Sequence, residues 1–83
     1  MNERFAVREL IESLLDRKGD QKGFVDSDSL IGSGRLDSVD TIALLLFLEK
    51  EYGIDFVDRG FDRYELDSVD SIMELLGVGQ LPI

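Results

Sequence analysis

Three stretches of this chain place apolar residues at helical spacing, and each is stopped by a glycine. The first runs from about Glu3 to Lys18, with Val7, Leu10, Ile11, Leu14 and Leu15 recurring at i, i+3, i+4, i+7 and i+8. Gly19 follows, where a helix end calls for a left-handed residue. The second runs from about Ser38 to Tyr52 and stops at Gly53. The third, from about Ser68 to Leu76, puts Val69, Ile72, Met73 and Leu76 on one face before Gly77. A further turn is expected around Phe61 to Glu65. No alternating run is long enough for a strand. The pattern predicts an all-α fold, a small four-helix bundle with three main helices and one short one, formed by a single domain over residues 1–83. A chain of this length buries only about 60% of its unfolded surface, so its stability should be modest. Its 43% hydrophobic content still supports a core.

The segment from Gly19 to Leu36 is long for a loop in a compact domain. Phe24, Val25, Leu30, Ile31 and Leu36 suggest that it is pinned to the core along its length, letting the first two helices pack side by side. Gly32-Ser33-Gly34 reads as flexible and open to approach. An internal echo links the two later helix starts. Leu36-Asp37-Ser38-Val39-Asp40-Thr41-Ile42 recurs as Leu66-Asp67-Ser68-Val69-Asp70-Ser71-Ile72, changed only at Thr41 against Ser71. Both copies carry helix-capping chemistry, an Asp or Ser to accept from free backbone N–H groups and an acid suited to the dipole.

Charge narrows the partners. The chain holds 9 basic and 18 acidic residues, a net charge of −9. Residues 1–18 are balanced, so the excess lies downstream. Such a surface repels nucleic acid and anionic lipid and attracts basic protein patches, although on charge alone the favoured reading is that the acidity only keeps a small protein soluble. With no cysteine and no histidine, disulfides, thiolate or imidazole metal sites and Ser-His-Asp catalysis are excluded. The longest apolar run, Ile42 to Leu48, is too short to span a bilayer, and nothing resembles a signal peptide, so membrane insertion is not expected and a cytoplasmic location is. Asp26, Asp28 and Asp37 fall near calcium-loop spacing, but Leu30 and Ile31 stand where an oxygen ligand and a glycine are required. Gly32-Ser33-Gly34 lacks the lysine of a phosphate loop. No metal site and no enzymatic activity is expected.

Three further runs stand in register: Asp26-Ser27-Asp28-Ser29-Leu30-Ile31, Gly34-Arg35-Leu36-Asp37-Ser38-Val39, and Leu48-Glu49-Lys50-Glu51-Tyr52-Gly53-Ile54. Together they resemble the acyl carrier protein family over nearly the whole chain. In that family a serine in an Asp-Ser-Leu motif opens the second helix and receives 4′-phosphopantetheine from coenzyme A. The matching residue is Ser38. The resemblance implies a monomeric, acyl-carrier-like bundle that holds acyl or aminoacyl groups as thioesters. Its implied partners are a phosphopantetheinyl transferase, a loading ligase or synthase, and downstream transferases. The arm's phosphodiester would lie at a helix N-terminus, where free N–H groups and the dipole favour an anion. The serine needs no base of its own, because the modifying enzyme can supply one. Ser68 is the rival position, with a shorter helix behind it and no glycine-rich approach.

Helix two carries two apolar stripes. Leu44, Leu45, Leu48 and Tyr52 should face the core, while Val39, Ala43 and Leu46, with Lys50, should lie nearly opposite. An apolar stripe left outside a small protein marks a binding surface, unless the long loop covers it. Val39 is the expected contact beside Ser38, with Asp37, Asp40 and Glu49 charging the rim. Val39 replaces the family's usual leucine, Ala43 stands where an acid is common, and Lys50 inverts a usual negative charge. These departures point to a dedicated partner set. Phe61-Asp62-Arg63-Tyr64-Glu65 is also similar to carriers of D-alanine or other amino acids. The cargo, the pathway, shelter of an acyl chain within the bundle and the order of the tail after Gly77 stay open. The competing reading is a non-covalent helical adaptor that binds through the outer stripe, with Ser38 serving only as a cap.

Overall fold

The computed structural model describes residues 3–77, which form helices and turns without a strand. Helix α1 spans Glu3–Asp16, α2 Ser38–Tyr52, α3 Phe56–Arg59 and α4 Val69–Leu76, with a 3₁₀ turn at Arg63–Leu66 between the last two. The fold is the expected all-α bundle. Among the described residues no helix is long and apolar enough to cross a membrane. The tail after Gly77, whose order the sequence leaves open, lies outside the described residues.

Helix α1 stops two residues before Lys18. The N–H groups of Lys18 and Gly19 reach back only three residues, to the carbonyls of Leu15 and Asp16 (3.0 and 2.9 Å). Gly19 then turns left-handed (φ 78°), and Asp20 N–H closes on Leu15 O at 3.0 Å. That closure satisfies end carbonyls which would otherwise lack partners. Helix α3 was not expected. Asp55 caps it by accepting from Asp58 N–H at 3.0 Å, an acid-x-x-acid pattern too short to register as periodicity. The turn expected around Phe61–Glu65 is present as the 3₁₀ element, capped by Asp62 and shifted toward Leu66.

The core is one cluster. Val7, Ile11, Leu14 and Leu15 come from α1, Leu44 and Leu48 from α2, and Val69, Ile72 and Met73 from α4. Phe56 and Leu66 join from the short elements, and Leu30 and Leu36 from the interhelical segment. Helix α4 packs on α1 and on the 3₁₀ turn, which also touches α2.

The interhelical segment is fastened at both ends and in the middle. Arg35 donates to Asp20 through two nitrogens (2.9 and 3.0 Å), tying the end of the segment to its beginning. Arg4 and Arg8 both donate to Asp26, and Arg8 also stacks on Phe24 at 4.4 Å and donates to its carbonyl. Phe24 and Ile31 are half-buried against the core, as expected. Val25 is not a pin: it lies exposed at a turn whose Val25 and Asp28 backbones bond to one another. With Asp26 claimed by two arginines and Asp28 by the Val25 N–H, these carboxylates are structural. No acidic cluster able to hold a metal occurs among the described residues.

These pairings make the fold acid-sensitive. Arg35 holds the Asp20 carboxyl down from 3.8 to about 2. Burial pushes Asp26 upward, but Arg4 and Arg8 outweigh it and leave it below the ordinary value. A depressed folded-state pKa contributes stability above the unfolded value and loses it as pH falls through the folded one. The thermal midpoint should therefore stay level near neutrality and decline between about pH 4 and pH 2. Circular dichroism melts across that range check it, and Asp20→Asn should show a shallower decline.

Candidate functional site

Ser38 is the first residue of α2, not its cap. Asp37 is the cap: extended at φ −100° and ψ −171°, it accepts from Asp40 N–H at 2.9 Å, while Asp40 accepts from Asp37 N–H at 3.0 Å. Thr41 Oγ1 adds a bond to the Asp37 carbonyl at 3.0 Å. This box engages the donors at Asp37 and Asp40 and leaves those of Ser38 and Val39 facing outward from the helix start. Ser38 itself is exposed, and its hydroxyl makes no hydrogen bond to any described residue.

The second copy of the motif is used one residue out of step. Here Ser68 is the cap, its hydroxyl accepting from Ser71 N–H at 3.1 Å while Ser71 Oγ accepts from Ser68 N–H at 3.0 Å. The reason lies upstream. The 3₁₀ turn runs into Asp67 and leaves it in a right-handed helical conformation (φ −70°, ψ −29°), so it cannot adopt the extended shape of a cap. Ser68, at φ −141° and ψ 163°, takes that role. Nearly identical residues, with Ser71 in place of Thr41, thus leave one serine hydroxyl without a partner among the described residues and commit the other to the fold.

Electrostatics at Ser38 are moderated from the turn that follows α1. Lys18 donates to Asp40, lies 3.5 Å from Asp37 and donates to the Arg35 carbonyl at 2.9 Å. Its ammonium is raised above the ordinary value, first by the bond to Asp40. The Asp40 N–H, supported by Lys18, keeps the Asp37 carboxyl below the usual range. An anion arriving at Ser38 would meet a partly neutralised helix start, not two bare acids.

Beside Ser38 opens a cleft of about 400 Å³. Ile31, Leu36, Ile42, Leu45 and Phe61 supply its apolar lining, and Asp37, Thr41 and Arg63 its polar lining. The sequence expectations missed Ile42, Phe61 and Arg63 as neighbours of Ser38. Ile42 was open to inference, since it follows Ser38 by one helical turn. Phe61 and Arg63 are brought there by the unexpected path through α3, where Phe61 stacks edge-on with Phe56 at 5.7 Å.

The expected partner-contact residues divide. Val39 and Leu46 are exposed, at 72% and 60%, and the interhelical segment leaves them open. Asp37 and Lys50 are exposed as well. Ala43 does not join them: it is half-buried against the core, and Ile42, 54% exposed, fills its place in the stripe. The geometry explains the change. Ala43 sits about 100° around the helix from the buried Leu44, whereas Ile42 and Leu46 each lie about 160° from it. Asp40 is a correction too. It is only 7% exposed, engaged by the Asp37 N–H and by Lys18, so it cannot charge the rim. Glu49 is half-buried and accepts from Phe56 N–H at 3.3 Å, stitching α2 to α3.

Comparison of the chain with protein-family models, with characterised proteins and with solved structures found no match.

Proposed function

We propose that this chain is a carrier protein, modified on Ser38 with 4′-phosphopantetheine, that passes acyl or aminoacyl groups between enzymes as thioesters. One observation carries the reading. Of two nearly identical helix starts, only the first leaves its serine hydroxyl exposed and without a partner among the described residues, and that serine is the one matched by the acyl carrier motif. The surroundings fit the group. The hydroxyl lies at a helix N-terminus suited to a phosphodiester, and an apolar cleft lies alongside. In the modification, Ser38 Oγ forms the new P–O bond to coenzyme A and gives its proton to a base in the transferase. Adenosine 3′,5′-bisphosphate leaves. The chain acts as a substrate, and the arm supplies the thiol that later bears the cargo.

The exposed Val39, Ile42 and Leu46 row adjoins Ser38 and suits docking of the enzymes that load and unload the arm. The same row supports the adaptor reading, in which it binds a partner with no covalent step. Intact mass separates the two. Incubated with coenzyme A, magnesium and a broad-specificity phosphopantetheinyl transferase, the folded chain should gain the mass of one phosphopantetheine. No gain, with a known carrier modified in parallel, would overturn the carrier reading and leave the adaptor.

A further inference from the structure

Asp67 belongs to the second copy of the motif, yet its side chain serves the first. Its Oδ1 accepts from two consecutive backbone N–H groups, those of Ile31 and Gly32, each at 2.8 Å. Leu30 N–H bonds the Asp67 carbonyl at 2.7 Å. Three successive residues ahead of Ser38, Leu30 to Gly32, are thus fastened to a single residue between the 3₁₀ turn and α4. The segment then closes on itself. Leu36 N–H bonds Leu30 O at 2.9 Å, and Gly34, left-handed at φ 85°, donates to Ile31 O at 3.0 Å. With Leu30 and Leu36 buried beneath it, Gly32-Ser33-Gly34 becomes the crown of a fixed arch, not the flexible approach expected from its composition. Packing is close where the crown begins: a side chain on Gly32 would come within 2.7 Å of Ser29 Oγ. Ile31, at the near end of the arch, lines the cleft that contains Ser38.

We infer that Asp67 is a positioning residue for modification of Ser38: it holds the 29–36 arch in the shape that the phosphopantetheinyl transferase docks against. The reason is pre-organisation. Any enzyme reaching Ser38 from the cleft side meets Ile31 and Leu36, the two ends of the arch. Without the carboxylate, two donors lose their acceptor and the docking shape becomes one conformation among several. Binding then weakens in proportion to the fraction of competent molecules. Chemistry at Ser38, whose hydroxyl Asp67 does not touch, is unaffected once the complex forms. This division of roles also accounts for the register slip, since Asp67 is engaged with the arch while Ser68 caps α4.

The inference rests on the carrier reading, and the experiment keeps the two apart. Steady-state kinetics of the transferase are measured with the full chain as the varied substrate. Asp67→Ala should raise KM about tenfold, the effect of a competent arch populated about a tenth of the time, with kcat within about twofold. Asp67→Asn keeps the Oδ1 acceptor and should return KM to near the wild-type value. Ser68→Ala, which removes the neighbouring cap without touching the arch, should destabilise the fold and leave KM unchanged. That control separates positioning from general loss of stability. Asp67→Ser, whose shorter hydroxyl cannot reach both amides, should raise KM likewise and serves if Asp67→Ala does not fold. Wild-type KM in Asp67→Ala, or in Asp67→Ser where only that variant folds, would overturn the inference while leaving the carrier reading standing. Failure of the wild-type chain to be modified would overturn both.

Discussion

Ser38→Ala should abolish the gain of phosphopantetheine mass completely while leaving the fold as stable as before. The two halves of this expectation come from the same geometry. Ser38 Oγ is the proposed attachment atom, so its removal leaves nothing to modify. The hydroxyl also makes no bond within the described structure, and α2 is capped by Asp37. Alanine is the better helix former at an exposed first-turn position, so the change in stability should stay within about 0.5 kcal/mol. Ser68→Ala should behave in the opposite way. It removes a hydroxyl that accepts from Ser71 N–H and should cost about 1 kcal/mol, yet it leaves modification intact. Two serines in the same seven-residue context thus give a crossed pair of outcomes, read by intact mass and by chemical denaturation. The adaptor reading expected Ser38→Ala to remove a cap and to destabilise the fold. With Asp37 in that role, the expectation passes to Asp37→Ala, and Ser38→Ala would leave an adaptor both stable and able to bind. Full destabilisation by Ser38→Ala would contradict the assignment of the cap.

Much of this geometry was legible before the structure because α1, α2 and α4 are written in strong local signals. Val7, Ile11, Leu14 and Leu15 recur at helical spacing, and glycines at positions 19, 53 and 77 punctuate the ends. Ser38 stood out through its motif and its place at a helix start. What escaped the sequence depends on contacts between distant segments. Helix α2 is apolar nearly all round, so periodicity alone could not decide whether Ala43 or Ile42 faced outward; the packing of Leu44 and Leu48 decides it. Asp40 looked like a free acid at a helix start, and only its meeting with Lys18, more than twenty residues earlier, shows that it is engaged. The rigidity of Gly32-Ser33-Gly34 was hidden for the same reason. Small residues permit flexibility, but the bonds from Ile31 and Gly32 to Asp67 restrain it. The one-residue slip between the motif copies is set by the 3₁₀ turn before the second, whose outline the sequence signalled only weakly.

Leu30→Ala should be the most destabilising of the leucine truncations outside the helices, although Leu30 belongs to the interhelical segment. Its side chain is fully buried in the cluster that joins α1, α2 and α4, its N–H bonds Asp67 and its carbonyl accepts from Leu36. Removing the side chain leaves a cavity that this tethered backbone cannot readily close. A loss of about 2–5 kcal/mol is expected, the range for buried leucine truncations. At ~0.05–0.15 kcal/mol per residue, a domain of this length holds about 4–12 kcal/mol in all, so the variant should be partly unfolded at moderate temperature. Leu46→Ala is the matched comparison. The same atoms are removed from a side chain left 60% exposed on α2, and stability should change by less than about 0.5 kcal/mol. Urea denaturation of the two variants beside the wild type measures both. A mild Leu30→Ala would mean that the 19–36 segment is draped over the bundle and contributes little to it. The arch ahead of Ser38 would then lose its foundation, because Leu30 anchors that arch from below as Asp67 fastens it from the side. A large loss at Leu30 with none at Leu46 would establish the opposite: the long connection is part of the core, and the apolar row beside Ser38 is surface that the fold itself does not require.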